Sequence, residues 1–249
     1  MLLVSATIAR SWRAGATTTA DEPFPERTAI TRAAAGIGLY AGVFGITFGT
    51  VSVASGLTVA QAVAMSAVMY TGASQFALVG VLAAGGAPLA GLSAALLLGV
   101  RNAFYGVPLT HILRPRGLRR LWTAHFVVDE SAAMAVAQPT PRAGRHAFWA
   151  TGVTLYTSWT LGSLAGALIG TGIDTSALGL DAAAPAIFLA LVWPQLSRDQ
   201  GPAVALAAAV VAFGLVPLVP AGAPIIGAAA VAVGAGQLPT RPPRKTEDR

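Results

Sequence analysis

Hydrophobic residues run along this chain in long blocks, and the polar residues that punctuate them fall at block ends. Residues 33–100 contain no Asp, Glu, Lys, Arg or His, and two further charge-free stretches cover 147–173 and 201–240. A bilayer core of about 30 Å takes about 20 helical residues to cross, so each stretch is long enough to span one. The blocks predict helices over 33–54, 59–83, 88–112, 123–137, 147–171, 182–197, 201–219 and 222–238. Pro88, Pro185 and Pro202 sit at predicted helix starts, where a missing N–H does little harm. The fold class is therefore all-α: a polytopic integral membrane helical bundle of about 6–8 segments, some broken or re-entrant.

Basic residues orient the bundle. Arg142 and Arg145 precede 147–171, so the positive-inside rule starts that helix in the cytoplasm and puts the loop with Asp174 and Asp181 outside. Segment 182–197 then returns to Arg198 inside, and the last two blocks form a hairpin ending at the basic tail. The first half does not close in this way. Arg27 and Arg32 start it inside, yet three full crossings would leave Arg114, Arg116, Arg119 and Arg120 outside. One of the three segments is re-entrant, or one is broken within the membrane, or the rule fails here. Irregular backbone is tolerated at depth where it lines a cavity, which favours the first two. Block 123–137 is short for a span and carries Asp129 and Glu130, so it reads as a half-helix. Tyr70-Thr71-Gly72-Ala73-Ser74 echoes Tyr156-Thr157-Ser158-Trp159, and Pro88 and Pro185 open the helices that follow. The echo fits an inverted repeat, with chance among small residues as its rival.

Composition agrees with a membrane domain. The chain of 249 residues is 55% hydrophobic and 10% charged, with a mean hydropathy of +0.66, against about 25% charged for soluble domains. Its 28 glycines suit close helix packing. One transmembrane domain is expected over 29–238, between a disordered cytoplasmic arm at 1–28 and a disordered cytoplasmic tail at 239–249. Met1 to Ala9 lacks a positive leader, so no cleaved signal peptide is expected. The net charge of +6 comes from basic residues at segment ends, which argues for membrane topology and against nucleic acid. Cysteine is absent, the three histidines are scattered, and there is no Walker or GxGxxG motif. No metal, no cofactor and no ATP hydrolysis are expected. The expected location is the cell membrane, in a multi-pass arrangement.

The charge-free run ends on Arg101, near the middle of 88–112. An arginine at that depth costs roughly 2.5–3.5 kcal/mol on insertion scales and normally faces a partner or a wet cavity. Tyr105 shares its face at i,i+4, Asn102 adjoins it, and Gly106 and Pro108 weaken the helix beyond. A guanidinium fork there can hold a carboxylate; alternatively it locks two helices by pairing with Asp129 or Glu130. A second cluster is Tyr70-Thr71-Gly72-Ala73-Ser74-Gln75-Phe76, at mid-depth in 59–83, where Thr71, Ser74 and Gln75 offer hydroxyl and amide groups on one helical face. Backbone unwound at Gly72 could hold one end of a zwitterion, or small residues could simply pack helices. A third places His125 and Asp129 at i,i+4 on one helical face beside Glu130 and Ser131. A carboxylate held away from water there could carry a proton; alternatively these acids sit on a solvated linker helix. Asp181 reads as a cap for the helix near Ala182, and Trp193-Pro194 as an interfacial aromatic and helix stop.

At these residues the chain resembles the AzlC family of branched-chain amino acid permeases, the large-subunit type, over about Ala35 to Gly236. The marks are Phe44-Gly45 with Phe48-Gly49, Gly72-Ala73-Ser74-Gln75-Phe76, Arg101-Asn102-Ala103-Phe104-Tyr105-Gly106 and Asp129-Glu130-Ser131. Leu178-Gly179-Leu180-Asp181 and then Pro185-Ala186-Ile187-Phe188 complete the series. Where the family often has Asn-Leu-Arg-His, this chain has Gly99-Val100-Arg101-Asn102, so the arginine is kept and the histidine replaced. The resemblance implies secondary export of leucine, isoleucine or valine together with a small AzlD-type membrane partner. Arg101, Asn102, Tyr105 and the 72–75 break would take the charged ends, and Phe44, Phe76 and Phe104 the aliphatic side chain. Asp129 or Glu130 would couple export to protons. Two other classes remain: a non-transporting scaffold for a partner subunit, and an intramembrane hydrolase using Ser74 with His125 or His111.

Overall fold

The computed structural model describes residues 26–172, 200–219 and 223–236, with isolated positions between 189 and 197. Every regular element among the described residues is a helix: α1 Arg27–Ala54, α2 Val59–Met69, α3 Gly72–Ala83, α4 Pro88–Leu113, α5 Arg119–His125, α6 Asp129–Val136, α7 Pro141–Gly172, α8 Gly201–Leu215 and α9 Ala223–Gly236. Segment 182–197, with Asp174, Asp181 and Pro185, falls almost wholly outside these residues, as do most of the arm and the tail. α1 and α4 are long and apolar enough to cross a membrane.

α1 and the 32-residue α7 form the frame. Ile30 packs on Ala143 and Ala147, Gly38 faces Thr154, Gly45 faces Trp159, and the Thr50 hydroxyl donates to the Gly166 carbonyl at 3.0 Å. These pairs advance together along both helices, so α1 and α7 run parallel. Small residues make the contact. A methyl group at Gly49 would overlap the Ser163 carbonyl, and one at Gly162 or Gly166 would overlap the carbonyl of Gly42 or Ile46. This is the close backbone approach that glycine permits between membrane helices. α4 runs the other way: Arg145 donates to the Ile112 carbonyl at 3.3 Å, so α4 ends where α7 begins.

Between these long helices the chain makes two half-depth hairpins. Thr58 and Gln61 form a capping box that starts α2. α2 and α3 have 11 and 12 residues, about 17 Å each, or roughly half a hydrocarbon core. The reversal comes at Tyr70, in left-handed conformation with φ 32°, and Thr71, one residue before the expected break at Gly72. The Gln75 side chain ties the two arms by donating to the Met65 carbonyl at 3.0 Å. Both ends of this hairpin lie at the far end of the frame, because α1 arrives there and α4 leaves from there. The 59–83 segment is thus re-entrant.

The second hairpin enters from the opposite end. Block 123–137 is two helices, α5 and α6, joined at Phe126–Val128. Ser131 shapes the bend: its hydroxyl accepts from the Val128 N–H at 3.1 Å and lies 2.6 Å from the Phe126 carbonyl, to which it donates. The bend also corrects an expectation. His125 ends one helix and Asp129 begins the next, so they do not share a helical face. The tips of the two hairpins meet, with the Tyr70 ring 5.6 Å from that of His125 and 6.0 Å from that of Phe126.

One re-entrant segment restores the charge rule. Every arginine among the described residues except Arg101 lies at the end of the frame where α1 and α7 begin, the end that the positive-inside rule assigns to the cytoplasm. The repeat is not the expected pairing of the 70–74 and 156–159 motifs, since α7 runs unbroken through Tyr156. It is instead a hairpin followed by a long helix that opens on proline, Pro88 and then Pro141, the two copies pointing in opposite directions. Ser74 and Ser131 occupy the same third position of the returning arm in each.

Candidate functional site

The starts of α3 and α6 and the middle of α4 face one cavity of about 380 Å³. Its polar side is Thr71, Gly72 and Ala73 from α3, Arg101 from α4, and Asp129 and Glu130 from α6. Its apolar wall is Tyr40 and Phe44 from α1, Phe76 from α3, and Leu155 and Trp159 from α7.

Arg101 Nη2 and Asp129 Oδ2 are 3.0 Å apart, with the side chains 40% and 39% exposed. This pair joins α4 to the α5–α6 hairpin, the inner of the two, α2–α3 being the outer. The pair is incomplete, because Arg101 Nε and Asp129 Oδ1 are buried without a hydrogen-bond partner. Tyr105, one turn along α4, is near enough for its hydroxyl to interact with the Asp129 carboxylate. α3 supplies positive potential from the other hairpin. Thr71 precedes its first turn but makes no side-chain cap, so the leading N–H groups are left toward the cavity. A helix N-terminus and a guanidinium thus stand opposite two carboxylates, an arrangement that suits a small molecule carrying both charges.

Trp159 connects the site to the frame. Its ring stacks on Phe48 with centroids 5.8 Å apart, and its N–H donates to the Gln75 amide oxygen at 2.9 Å. A methyl group at Gly72 would come within 3.0 Å of that ring, so glycine lets the indole lie against the start of α3.

Of the residues expected to form the site, Gly72, Phe76, Arg101, Asp129 and Glu130 line the cavity, as does Phe44. Gln75 does not: it is fully buried, and its amide is taken by Met65 and Trp159. Ser74 is buried beneath the lining with its hydroxyl unpartnered, so no histidine is bonded to it among the described residues. Asn102 and Tyr105, both half-buried on α4, are not among the lining residues, and Phe104 is 71% exposed. His125 packs among Tyr70, Phe126 and Tyr156 at the hairpin tips. Tyr70 and Thr71, which open the expected 70–76 cluster, line the cavity too, whereas Tyr40 and Trp159 do so without having been assigned to the site; an aromatic residue with a polar atom inside a charge-free block was the available signal.

Comparison with known proteins gives the site a context. The family model described as AzlC protein matches residues 36–173, more than half of the chain. The inner membrane protein YgaZ of Escherichia coli is 29% identical over 61% of this chain and 66% of its own length. The branched-chain amino acid transport protein AzlC of Bacillus subtilis is 23% identical over 63% of this chain and 62% of its own. A Helicobacter pylori protein described as an uncharacterized membrane protein is 26% identical over 63% of this chain and 69% of its own. No solved structure matches the chain.

Proposed function

The chain belongs to the AzlC family of membrane proteins, and from that premise we propose that it is the large subunit of a secondary exporter of branched-chain amino acids, working across the cell membrane in a multi-pass arrangement with a small AzlD-type partner. The observation that carries the reading is the incomplete Arg101–Asp129 pair beside an apolar-walled cavity at the hairpin tips. The substrate carboxylate would take Arg101 and the N–H groups of Gly72 and Ala73, and its ammonium would take Asp129 or Glu130. The aliphatic side chain would lie on Phe44, Phe76 and Trp159. The Bacillus subtilis relative is named for branched-chain amino acid transport, which supports this substrate class. Asp129 and Glu130 would carry the coupling proton, since carboxylates lining a cavity within a membrane domain are common proton carriers.

The test is efflux from cells loaded with labelled valine, leucine or isoleucine, with and without this chain and its partner. Accelerated efflux is expected, and unchanged efflux of all three overturns the substrate. The same ion pair supports a second reading, in which it only locks α4 to α6 in a scaffold for the partner. Arg101→Gln separates the two. In a scaffold, efflux falls only as far as stability and assembly with the partner fall, whereas a transporter keeps assembly and loses efflux.

A further inference from the structure

A second cavity, of about 600 Å³, lies at the cytoplasmic end between the last turns of α4 and the short α5. Its floor is apolar, with Leu109, Leu113, Ala124 and Val127, and Arg114, Arg116 and Arg120 line it from the connecting turn and α5. None of these arginines pairs with a carboxylate among the described residues. Two are anchored by a single nitrogen: Arg114 Nε donates to the His111 carbonyl at 3.3 Å, and Arg120 Nε to the Pro115 carbonyl at 3.1 Å. The terminal nitrogens of both forks have no partner among the described residues and can reach another acceptor.

The surroundings identify that acceptor. Leu118, Leu121 and Trp122 project outward, each at least 70% exposed, beside Arg119 and Arg120. Apolar and aromatic residues interleaved with arginines mark the level where headgroups meet acyl chains. A dissolved anion would satisfy the arginines and leave the apolar floor bare. A lipid phosphate with its attached acyl chain matches both. Basic pockets between helices on the cytoplasmic side are suited to anionic headgroups.

We propose that this cavity is a binding site for an anionic phospholipid of the cytoplasmic leaflet, its phosphate on Arg114, Arg116 and Arg120 and the upper part of one acyl chain on Leu109, Leu113, Ala124 and Val127. The lipid would bridge α4, which carries Arg101, to the base of the inner hairpin, which carries Asp129.

The test uses the full chain purified in detergent. Thermal unfolding is followed by tryptophan fluorescence during titration with phosphatidylglycerol, phosphatidylcholine or inorganic phosphate, and retained lipid is counted by native mass spectrometry. Phosphatidylglycerol should raise the melting temperature in a saturable way and leave one retained lipid, with neither of the other probes doing so. Arg114→Gln with Arg116→Gln and Arg120→Gln should weaken the response roughly tenfold or more. Ala124→Phe fills the floor while keeping every arginine, and should also weaken it; this variant decides the matter if the triple variant does not fold. Arg119→Gln removes a neighbouring charge outside the cavity lining and should leave the response intact. Equal responses to phosphatidylcholine and phosphatidylglycerol overturn the proposal. So does a response reproduced by phosphate alone, which would mean an anion site with no lipid, or a wild-type response from Ala124→Phe.

Discussion

Arg101 and Asp129 each keep one buried polar atom unpaired while bonding each other at 3.0 Å. Removing one partner leaves the other with a buried polar atom and no counter-charge; with the side chains 40% and 39% exposed the cost is smaller than for a fully buried pair, yet larger than that of removing both. Arg101→Gln and Asp129→Asn should each lower the melting temperature in detergent, and the double variant should recover most of that loss while all three lose efflux. Arg101→Lys should keep the fold and lose at least about tenfold in efflux, because an ammonium cannot offer the planar fork; full efflux from it would exclude bidentate recognition. Arg101 was legible in the sequence because it ends a long charge-free stretch, and its candidate partners narrowed to Asp129 and Glu130. The task of Gln75 was not legible. Its acceptor atom is used by Trp159, 84 positions away, and sequence spacing carries no trace of that contact.

At the level of elements, α1 and α7 depend on the absence of side chains where they cross. Gly166→Leu would force the helices apart at the Ile46 carbonyl, with an expected cost of at least ~2–3 kcal/mol. Gly80→Leu, where a methyl group would meet nothing within 4 Å, serves as the control and should melt like the parent. Thermal unfolding of the two variants in detergent checks the comparison. The outer hairpin could be inferred from the sequence, since only a re-entrant or broken segment kept Arg114 to Arg120 on the cytoplasmic side, and Gly72 lay within two residues of its turn. The inner one was hidden. Phe126, Val127 and Val128 read as continuing apolar helix, with no glycine or proline to mark a turn. The signal that bends them is the Ser131 hydroxyl, and serine is too common in such blocks to stand out.

For the molecule as a whole, the arrangement fixes which loops share a side. The chain has no cysteine, so single-cysteine variants need no background correction. Ala84→Cys, between α3 and α4, should react with a membrane-impermeant maleimide added outside intact cells. Ala137→Cys, after α6, should react only after the membrane is opened. Labelling of both from the same side would rule out the opposed hairpins. The opposed arrangement also determines how the protein keeps the bilayer sealed. On the proposed topology neither hairpin crosses alone, so the barrier along this path would be the rings that meet at the tips, Tyr70 from one hairpin against His125 and Phe126 from the other, far thinner than a lipid leaflet. Trimming it with Tyr70→Ala should make reconstituted vesicles leak protons with no substrate present, read from the decay of an imposed pH gradient.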